Sequence, residues 1–148
     1  FVDQNFEHTV GRKIYFCQDN LTYSKKGVLR GLHYQIYPNA QSKLVSVIQG
    51  TVLVVVVDIR KGSPTFGQWR GYTLSDSNCR QIYIPVGFAH GFCVLSETAE
   101  FLYKVSEYYS AENEKGIMWN DPDIGIKWPT SNPVLSEKDK TNPALKDM

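Results

Sequence analysis

The stretch that decides the fold is TVLVVVVDIRKGSP, residues 51–64, in which six consecutive apolar residues lead into the turn signal Ser63-Pro64. An apolar run of this length, rich in β-branched side chains and bounded by turn residues, is typical of a strand that is buried on both faces. It is far shorter than the ~20 residues that a membrane helix needs. We therefore expect a fully buried strand inside a two-layered β fold.

Short β-branched and aromatic stretches separated by turn residues continue on both sides of this segment. They predict strands at residues 14–18, 28–35, 43–49, 51–58, 68–74, 80–84, 91–95 and 101–105. Gln49-Gly50 is a two-residue hairpin signal. Helix is expected only near the ends, at residues 5–10 and from a cap at Ser136 to residue 140. The predicted class is all-β, a double-sheet jelly roll or a related barrel, with the tail from Pro129 wrapped over its surface.

Length and charge narrow the function classes. The 148 residues suit one domain, and the net charge of +1 gives no global field to recruit nucleic acid or a membrane surface. The odd, widely spaced Cys17, Cys79 and Cys93 argue against a disulfide framework and favour buried thiols in a reducing compartment. No charged and apolar leader opens the chain. The sequence therefore predicts a soluble cytoplasmic protein that needs neither nucleic acid nor membrane.

Polar residues inside otherwise apolar strands are the candidates for chemistry. Arg30 and His33 lie an odd number of positions apart, so a regular strand would send them to opposite faces. Gly31 between them permits a bulge that would turn both toward one pocket. The plainer interpretation makes Arg30 a surface charge and His33 a hydrogen-bonded core histidine. Lys43 and Tyr103 also lie in strands, where solvation and packing are the usual roles of these residue types.

A metal site is the main alternative use of the histidines. The chain has only His8, His33 and His90, and it has no His-x-His pair. A site built from His33, His90 and a carboxylate is chemically possible. The absence of closely spaced histidines favours a site without metal.

One family resemblance runs along nearly the whole chain. The segment GVLRGLHYQ, residues 27–35, resembles the signature of the dTDP-4-dehydrorhamnose 3,5-epimerases. Further segments look like motifs of the same family and follow in order: KLV at 43–45, VDIRKGSPTFG at 57–67, PVGFAHGF at 85–92, EFLYK at 100–104, WNDP at 119–122, IGIKWP at 124–129 and LSEKD at 135–139. The resemblance implies a cupin-type jelly-roll sandwich and a cofactor-independent isomerase of dTDP-L-rhamnose biosynthesis.

The resemblance also implies roles for individual residues. His33 would be the base that removes a proton from carbon, and Asp139 would orient its imidazole. Tyr103 would exchange a proton on the opposite face of the sugar, and Lys43 would stabilise the enolate oxygen. The remaining residues would bind substrate: Arg30 the diphosphate, His90 the sugar, Gln18, Asp19, Asn20, Glu114 and Lys138 the nucleotide side, and Tyr109 the thymine ring.

These roles agree with the chemistry of a 4-keto sugar. A proton on carbon beside a ketone is far less acidic than imidazolium, so the enolate must be stabilised by a preorganised cation or donor. Inversion also needs a base on one face of the ring and an acid on the other. The resemblance implies a dTDP-4-dehydro-6-deoxy-D-glucose substrate, inverted at C3 and C5 to dTDP-4-dehydro-L-rhamnose.

The domain assignment is one epimerase domain over residues 1–148. Family members usually carry an earlier segment ending in Arg-Gly-Phe-Phe-like residues, which contacts substrate and crosses to a partner subunit, and the sequence begins after that point. A homodimer is expected from the resemblance. Three alternatives stay open: an epimerase or isomerase that inverts only C3 or C5, a non-catalytic sugar-binding jelly roll, and a metal-dependent cupin oxygenase.

Overall fold

The computed structural model describes residues 2–148, which form two antiparallel β-sheets packed face to face. In chain order the elements are α1 (Asp3–Val10), β1 (Gln18–Lys25), β2 (Leu29–Gln35), β3 (Lys43–Gln49), β4 (Thr51–Asp58), β5 (Trp69–Ser75), β6 (Gln81–Ile84), β7 (Phe88–Val94), β8 (Thr98–Val105), β9 (Glu114–Gly116) and a 3₁₀ turn, Leu145–Asp147. The predicted all-β jelly-roll class is confirmed. Within the described residues, no helix is long and apolar enough to cross a membrane.

The two sheets differ in how their faces are covered. One has four strands in the order β1-β8-β3-β6, and the other has five in the order β5-β4-β7-β2-β9. Strand β4 alternates between the sandwich interior, where Val52 and Val54 pack, and the outer face, where Val55 and Val57 pack. All four side chains are fully buried. The expected strand with two buried faces is therefore present, and the outer cover of its sheet comes from the C-terminal segment.

Aromatic packing joins the sheets beside the site. Phe92 of β7 and Phe101 of β8 stack across the interior with ring centroids 4.6 Å apart. Such a pair adds about 0.5–1.5 kcal/mol beyond the area it buries. Tyr103 lies next along the inner face of β8, with its ring centroid 5.9 Å from that of Phe101. The core thus fixes the strand from which a candidate catalytic side chain projects.

The hairpin predicted at Gln49-Gly50 is wrong. Strands β3 and β4 follow each other directly but belong to different sheets, so the chain crosses the sandwich at this point. Gly50 has a φ of 86°, and its N–H donates to Asp76 Oδ2 at 2.8 Å. A local turn signal fixes the backbone bend, but it does not say whether the next strand pairs with the last.

The strand predicted at residues 14–18 is also misplaced, since β1 spans Gln18–Lys25. Its sequence, QDNLTYSK, turns polar side chains inward and leaves Leu21 and Tyr23 exposed on the outer face. That is the reverse of the alternation expected over an apolar core. The polar inner side makes sense because this strand borders a cavity instead of the core.

The segment after Ser136 and two of the cysteines also differ from the sequence-based expectations. The helix predicted after Ser136 is a hydrogen-bonded turn, closed by Lys140 N–H donating to Ser136 O at 3.3 Å. The cysteines are all free, but only Cys93 is buried; Cys17 and Cys79 are exposed, contrary to expectation. Phe1 lies outside the described residues, so the domain assignment of 1–148 stays a prediction.

The C-terminal segment is attached by a buried carboxylate. Asp121 is 1% exposed; its Oδ1 accepts the N–H groups of Asp123 and Ile124, and its Oδ2 accepts the N–H of Leu145. Leu145 and Trp128 then pack on the outer face of the five-stranded sheet. A tail that wraps the sandwich surface was predicted, and the structure confirms it.

Candidate functional site

The site is a cavity of about 410 Å³ between the two sheets, open at the side where β1 and β9 form the edges. Its lining is Gln18, Asn20, Thr22, Ser24, Arg30, His33, Tyr34, Gln35, Gln41, Lys43, His90, Phe92, Phe101, Tyr103, Val105, Tyr109 and Glu114. A concave site with an apolar floor and a few convergent polar groups is the usual form of a small-molecule site.

The four-stranded sheet supplies one wall. Register pairs Asn20 with Tyr103 across β1 and β8, and Val45 with Tyr103 across β3 and β8. Lys43 is two positions before Val45, so its side chain leaves the same face of the sheet. Its Nζ lies 5.7 Å from the centroid of the Tyr103 ring. The predicted proton donor and the predicted enolate-binding cation are therefore neighbours on one wall.

The five-stranded sheet supplies the opposite wall. The pairing of β2 with β7 shifts register between Arg30 and His33, as the expected bulge requires. Both side chains consequently line the cavity. Arg30 Nη1 donates to Leu29 O at 3.1 Å and Val134 O at 3.4 Å, which anchors the guanidinium at the wall. The expectation that a bulge brings Arg30 and His33 into one pocket is confirmed.

His33 is held by a carboxylate from the far end of the chain. Its Nε2 lies 2.5 Å from Asp139 Oδ1, and the Asp139 side chain is fully buried while that of His33 is 20% exposed. Burial raises the pKa of Asp139, but hydrogen bonds and charge from His33, with further bonds from Ser136 and the Gly31 backbone, outweigh it and lower that pKa overall. An ionised Asp139 can fix one tautomer of His33 and stabilise its protonated form.

Burial lowers the pKa values of two groups near His33, Lys43 and His90. It lowers the pKa of Lys43 to about 8, although the charge of Glu114 acts in the opposite sense. It lowers the pKa of His90 well below its usual value, and the nearby Lys43 and His33 act in the same direction. His90 is therefore neutral at neutral pH. Lys43 keeps its charge there, but it is easier to discharge than an exposed lysine.

Tyr103 keeps its proton in this environment. Burial raises the pKa of its hydroxyl, and the charge of Glu114 and nearby Tyr109 raise it further. A tyrosine that is protonated at neutral pH can donate a proton to a carbanion that forms next to it. Tyr103 and His33 stand on different sheets, so a ring bound between them would meet one on each side.

A polar cluster borders the exposed end of the cavity. Tyr109 Oη donates to Glu114 Oε2 at 2.8 Å, and Lys138 Nζ forms an ion pair with the same oxygen. The backbone N–H of Tyr109 donates to Gln18 Oε1 at 3.3 Å. Burial raises the pKa of Glu114, yet bonds from Lys138 and Tyr109 lower it overall. Tyr109 comes from the loop before β9, which places an exposed aromatic ring at the rim.

Asp19 is the predicted binding residue that lies elsewhere. Its neighbours Gln18 and Asn20 point into the cavity, and Asp19 alternates to the outer side of β1. There its two carboxylate oxygens each accept a hydrogen bond from Lys104 Nζ at 3.0 Å. Its proposed contact with a nucleotide would need a different arrangement from the one seen here.

Several lining residues were not anticipated. Thr22 and Ser24 belong to β1, which the sequence pattern misplaced, so the inward polar row was not recognised. Gln35 is buried; its Nε2 donates to Asn39 O and Tyr108 O, and its Oε1 accepts the N–H of Ser110. A buried glutamine inside a strand was the available signal, because such a group must find partners.

Within residues 2–148, no group of three or more His, Cys, Asp or Glu side chains is arranged to hold a metal ion. His33 and His90 are direct register partners on β2 and β7. His90 Nδ1 lies 3.4 Å from His33 O, while the Nε2 of His33 is engaged by Asp139.

Comparison with known proteins gives one consistent family. The model of the family described as dTDP-4-dehydrorhamnose 3,5-epimerase matches residues 1–147. A dTDP-4-dehydrorhamnose 3,5-epimerase of Shigella flexneri is 59% identical over 139 residues, which cover 94% of this chain and 77% of the relative. The crystal structure of the Legionella pneumophila 3,5-epimerase with dTDP-4-keto-L-rhamnose superposes with a TM-score of 0.95 at 51% identity, covering 99% of this chain and 78% of that one.

A structure with lower sequence identity belongs to an enzyme that inverts a single centre. ChmJ, a 3'-monoepimerase from Streptomyces bikiniensis, was solved with dTDP as a double variant with one histidine changed to asparagine and one tyrosine to phenylalanine. It superposes with a TM-score of 0.94 at 33% identity and covers 99% of this chain and 74% of that one. The two replaced residues are separated by the same number of positions as His33 and Tyr103.

Proposed function

This chain belongs to the dTDP-4-dehydrorhamnose 3,5-epimerase family, and we propose that it inverts C3 and C5 of dTDP-4-dehydro-6-deoxy-D-glucose to give dTDP-4-dehydro-L-rhamnose. The chain is an enzyme of the isomerase class. The observation that carries the proposal is the pairing of a His33–Asp139 dyad on one wall of the cavity with Tyr103 and Lys43 on the other. This arrangement supplies a base, an acid and a cation around a single ring.

In the proposed reaction, His33 removes the proton from the carbon next to the C4 ketone. The electron pair moves onto the C4 oxygen, and the enolate is stabilised by the ammonium group of Lys43. Buried cations that are already in place stabilise such charge well because no solvent must reorganise. Asp139 stabilises the imidazolium that forms on His33, through the bond to Nε2.

Tyr103 completes inversion by returning a proton to the other face of the same carbon. Its raised pKa keeps the hydroxyl protonated, so it is a donor at the start of the step. Once His33 has released its proton to solvent and Tyr103 has regained one from solvent, the same step can follow at the second carbon, and inversion at C3 and at C5 gives the 3,5-epimer. The equal spacing of the His and Tyr replaced in ChmJ supports a shared role for this pair.

The binding roles extend the proposal along the cavity. Arg30 holds the diphosphate, His90 contacts the sugar, and Tyr109 at the rim stacks on the thymine ring. Gln18, Asn20, Glu114 and Lys138 line the nucleotide side, and Asp19 does so only if β1 adjusts. The anchored guanidinium of Arg30 and the exposed ring of Tyr109 support these assignments.

A single-centre epimerase is the second candidate. The likeness to the ChmJ 3'-monoepimerase favours it, because the same fold and His–Tyr pair occur in an enzyme that inverts one centre. The higher identity to 3,5-epimerases favours inversion at both carbons. Both candidates use the same dyad, so they differ in how the bound ring is presented to it.

The decisive experiment is solvent exchange. The protein is incubated with dTDP-4-dehydro-6-deoxy-D-glucose in deuterated water, and C3 and C5 are followed by NMR. We expect deuterium at both carbons, lost in His33→Ala, because His33 is the base placed to remove those protons. His8→Ala is the matched control, since His8 is exposed on α1 away from the cavity.

Three results would change the assignment. Deuterium at one carbon alone would indicate the single-centre epimerase. Binding of the dTDP sugar without any exchange would indicate a sugar-binding module. Equal exchange in the wild type and in His33→Ala would remove His33 as the base, whatever the product.

The proposal also includes the oligomeric state and the cellular location of the enzyme. A homodimer is supported by Leu21 and Tyr23, which remain more than 60% exposed on the outer face of the four-stranded sheet. Large apolar side chains exposed together mark a surface that another protein covers. A cytoplasmic location stays a prediction that rests on the spacing of the cysteines.

A further inference from the structure

The short turn at residues 136–140 places Asp139 beside His33, and hydrogen bonds within this turn restrain Asp139. Asp139 is 1% exposed, so its carboxylate is removed from solvent and depends on donors within the protein. A buried carboxylate is stable only when its oxygens are occupied by donors. Oδ1 meets His33 Nε2, so the donor on Oδ2 decides whether Oδ1 remains available for His33.

That donor is Ser136. Its hydroxyl donates to Asp139 Oδ2 at 2.7 Å and accepts the backbone N–H of Asp139 at 3.1 Å. A serine three residues before an acid is the sequence of a helix capping box, in which the acid normally reaches back to a backbone N–H. Here the segment is a turn, and the acid instead faces His33, with the serine bonded to its second oxygen.

The turn is also fixed from outside. Lys138, next to Asp139 in sequence, forms an ion pair with Glu114 of β9. Strand β9 pairs with β2, where His33 faces Gly116. The two ends of the dyad are therefore tied to the same strand pair. The bond from Ser136, together with the one from the Gly31 backbone, limits rotation of the Asp139 carboxylate.

We propose that Ser136 is a positioning residue for catalysis, which acts through Asp139 by holding its carboxylate in the orientation that fixes the tautomer of His33. The inference rests on the proposed function for its kinetic consequence, but the state of the His33 ring can be measured in the protein without substrate. Ser136 is not among the residues that line the cavity.

The first test is Ser136→Ala, read out by the nitrogen shifts of the histidine rings. The chain has only three histidines, and His33→Asn identifies the signals of His33. We expect the wild-type protein to show one dominant tautomer at His33, and Ser136→Ala to show a mixture. Ser136→Thr keeps the hydroxyl and should restore the single tautomer. Ser131→Ala, an exposed serine of the same segment, is the matched control.

Kinetics provide the second readout. Loss of one hydrogen bond to a charged group corresponds to a fall in kcat of about tenfold or more. KM should change little, because Ser136 does not line the cavity. In an Asp139→Asn background, Ser136→Ala should have almost no further effect, since the residue it positions is already neutral.

The outcomes separate the two proposals. An unchanged His33 spectrum in Ser136→Ala overturns the positioning role, even in a fully active enzyme. Additive losses of kcat in Ser136→Ala and Asp139→Asn overturn it as well. A wild-type protein that fails to exchange the sugar protons refutes the proposed epimerase function, while the tautomer measurement still decides what Ser136 does.

Discussion

Lys43 is the residue whose protonation state most directly links the structure to rate. An ordinary lysine stays charged to about pH 10, but burial in the cavity lowers the pKa of Lys43 to about 8. A pKa that is lowered in the folded protein means that the cation is lost as pH rises through that lower value. The charge that stabilises the enolate is therefore present at neutral pH and absent in mildly alkaline solution.

We expect kcat/KM for the epimerase reaction to fall above about pH 8, because the enolate loses its cation there. Lys43→Arg should shift this fall to higher pH, since guanidinium keeps its proton. Lys43→Met should reduce turnover about 10²- to 10³-fold at pH 7, the usual effect of removing one oxyanion donor. Lys25→Met, on an exposed position of β1, should leave the profile unchanged.

A pH profile of kcat/KM measures all four proteins. Tyr103 does not complicate the reading, because its pKa is raised and it titrates later. If Lys43→Arg keeps the wild-type alkaline limb, the limb belongs to another group and Lys43 does not carry the charge assigned to it.

At the scale of elements, the bulge in β2 decides which side chains enter the cavity. Gly31 has a φ of 123°, and a Cβ at this position would lie 2.5 Å from Gly91 Cα and 2.9 Å from His90 O. Both neighbours are backbone atoms of β7, so neither can move aside as a flexible side chain could. The close approach of β2 and β7 therefore depends on the missing side chain.

Gly31→Ala should destabilise the fold more than a positive φ alone would. Gly62 has a φ of 85°, and a Cβ added there would meet nothing within 4 Å, so Gly62→Ala reports the backbone cost by itself, about 1–2 kcal/mol. We expect Gly31→Ala to cost about 3–4 kcal/mol, since the backbone clash is added. Urea unfolding of both variants measures the difference, and equal costs would contradict a tight contact between β2 and β7.

Individual strands show which parts of the fold could be predicted from the sequence. The strand over residues 51–58 and the bulge at Gly31 were predictable because burial and backbone freedom leave local marks. Strand β1 was not, because its inward side chains are polar where they border the cavity. The change of sheet between β3 and β4 was not predictable either, since the choice of partner strands is set by contacts distant in sequence.

The same distinction holds for the site. His33, Lys43 and Tyr103 were identified through resemblance, and the structure places all three around one cavity. The contact of His33 with Asp139 spans 106 positions, and no periodicity in the sequence reveals it. Asp19 was assigned through the same resemblance, and strand alternation places it on the outer side of β1.

At the scale of the whole molecule, the free energy of unfolding should depend on pH because His90 is neutral in the folded protein. Burial holds the pKa of His90 well below 6.5, so the folded protein does not take up the proton that the unfolded chain binds below that pH. A group that is protonated only in the unfolded state favours unfolding as pH falls. Stability linked to His90 is therefore full above about pH 6.5 and declines below it.

We expect the urea midpoint of the wild-type protein to fall between pH 7.5 and pH 5.5, and to fall less in His90→Gln, which has no proton to gain. The carboxylates Asp58 and Asp139 do not contribute in this window, because lowered pKa values keep them ionised to more acidic pH. His8→Gln serves as the exposed control. Parallel pH dependence in all three proteins would show that His90 is not held neutral.

The contact between His33 and Asp139 also determines when, during its synthesis, the chain can form the catalytic dyad. Synthesis proceeds from the N-terminus at about 5–20 residues per second, so all strands of the sandwich leave the ribosome before Asp139 does. Asp139 can therefore reach His33 only after every strand has been made. The catalytic dyad is completed by a turn that belongs to neither sheet.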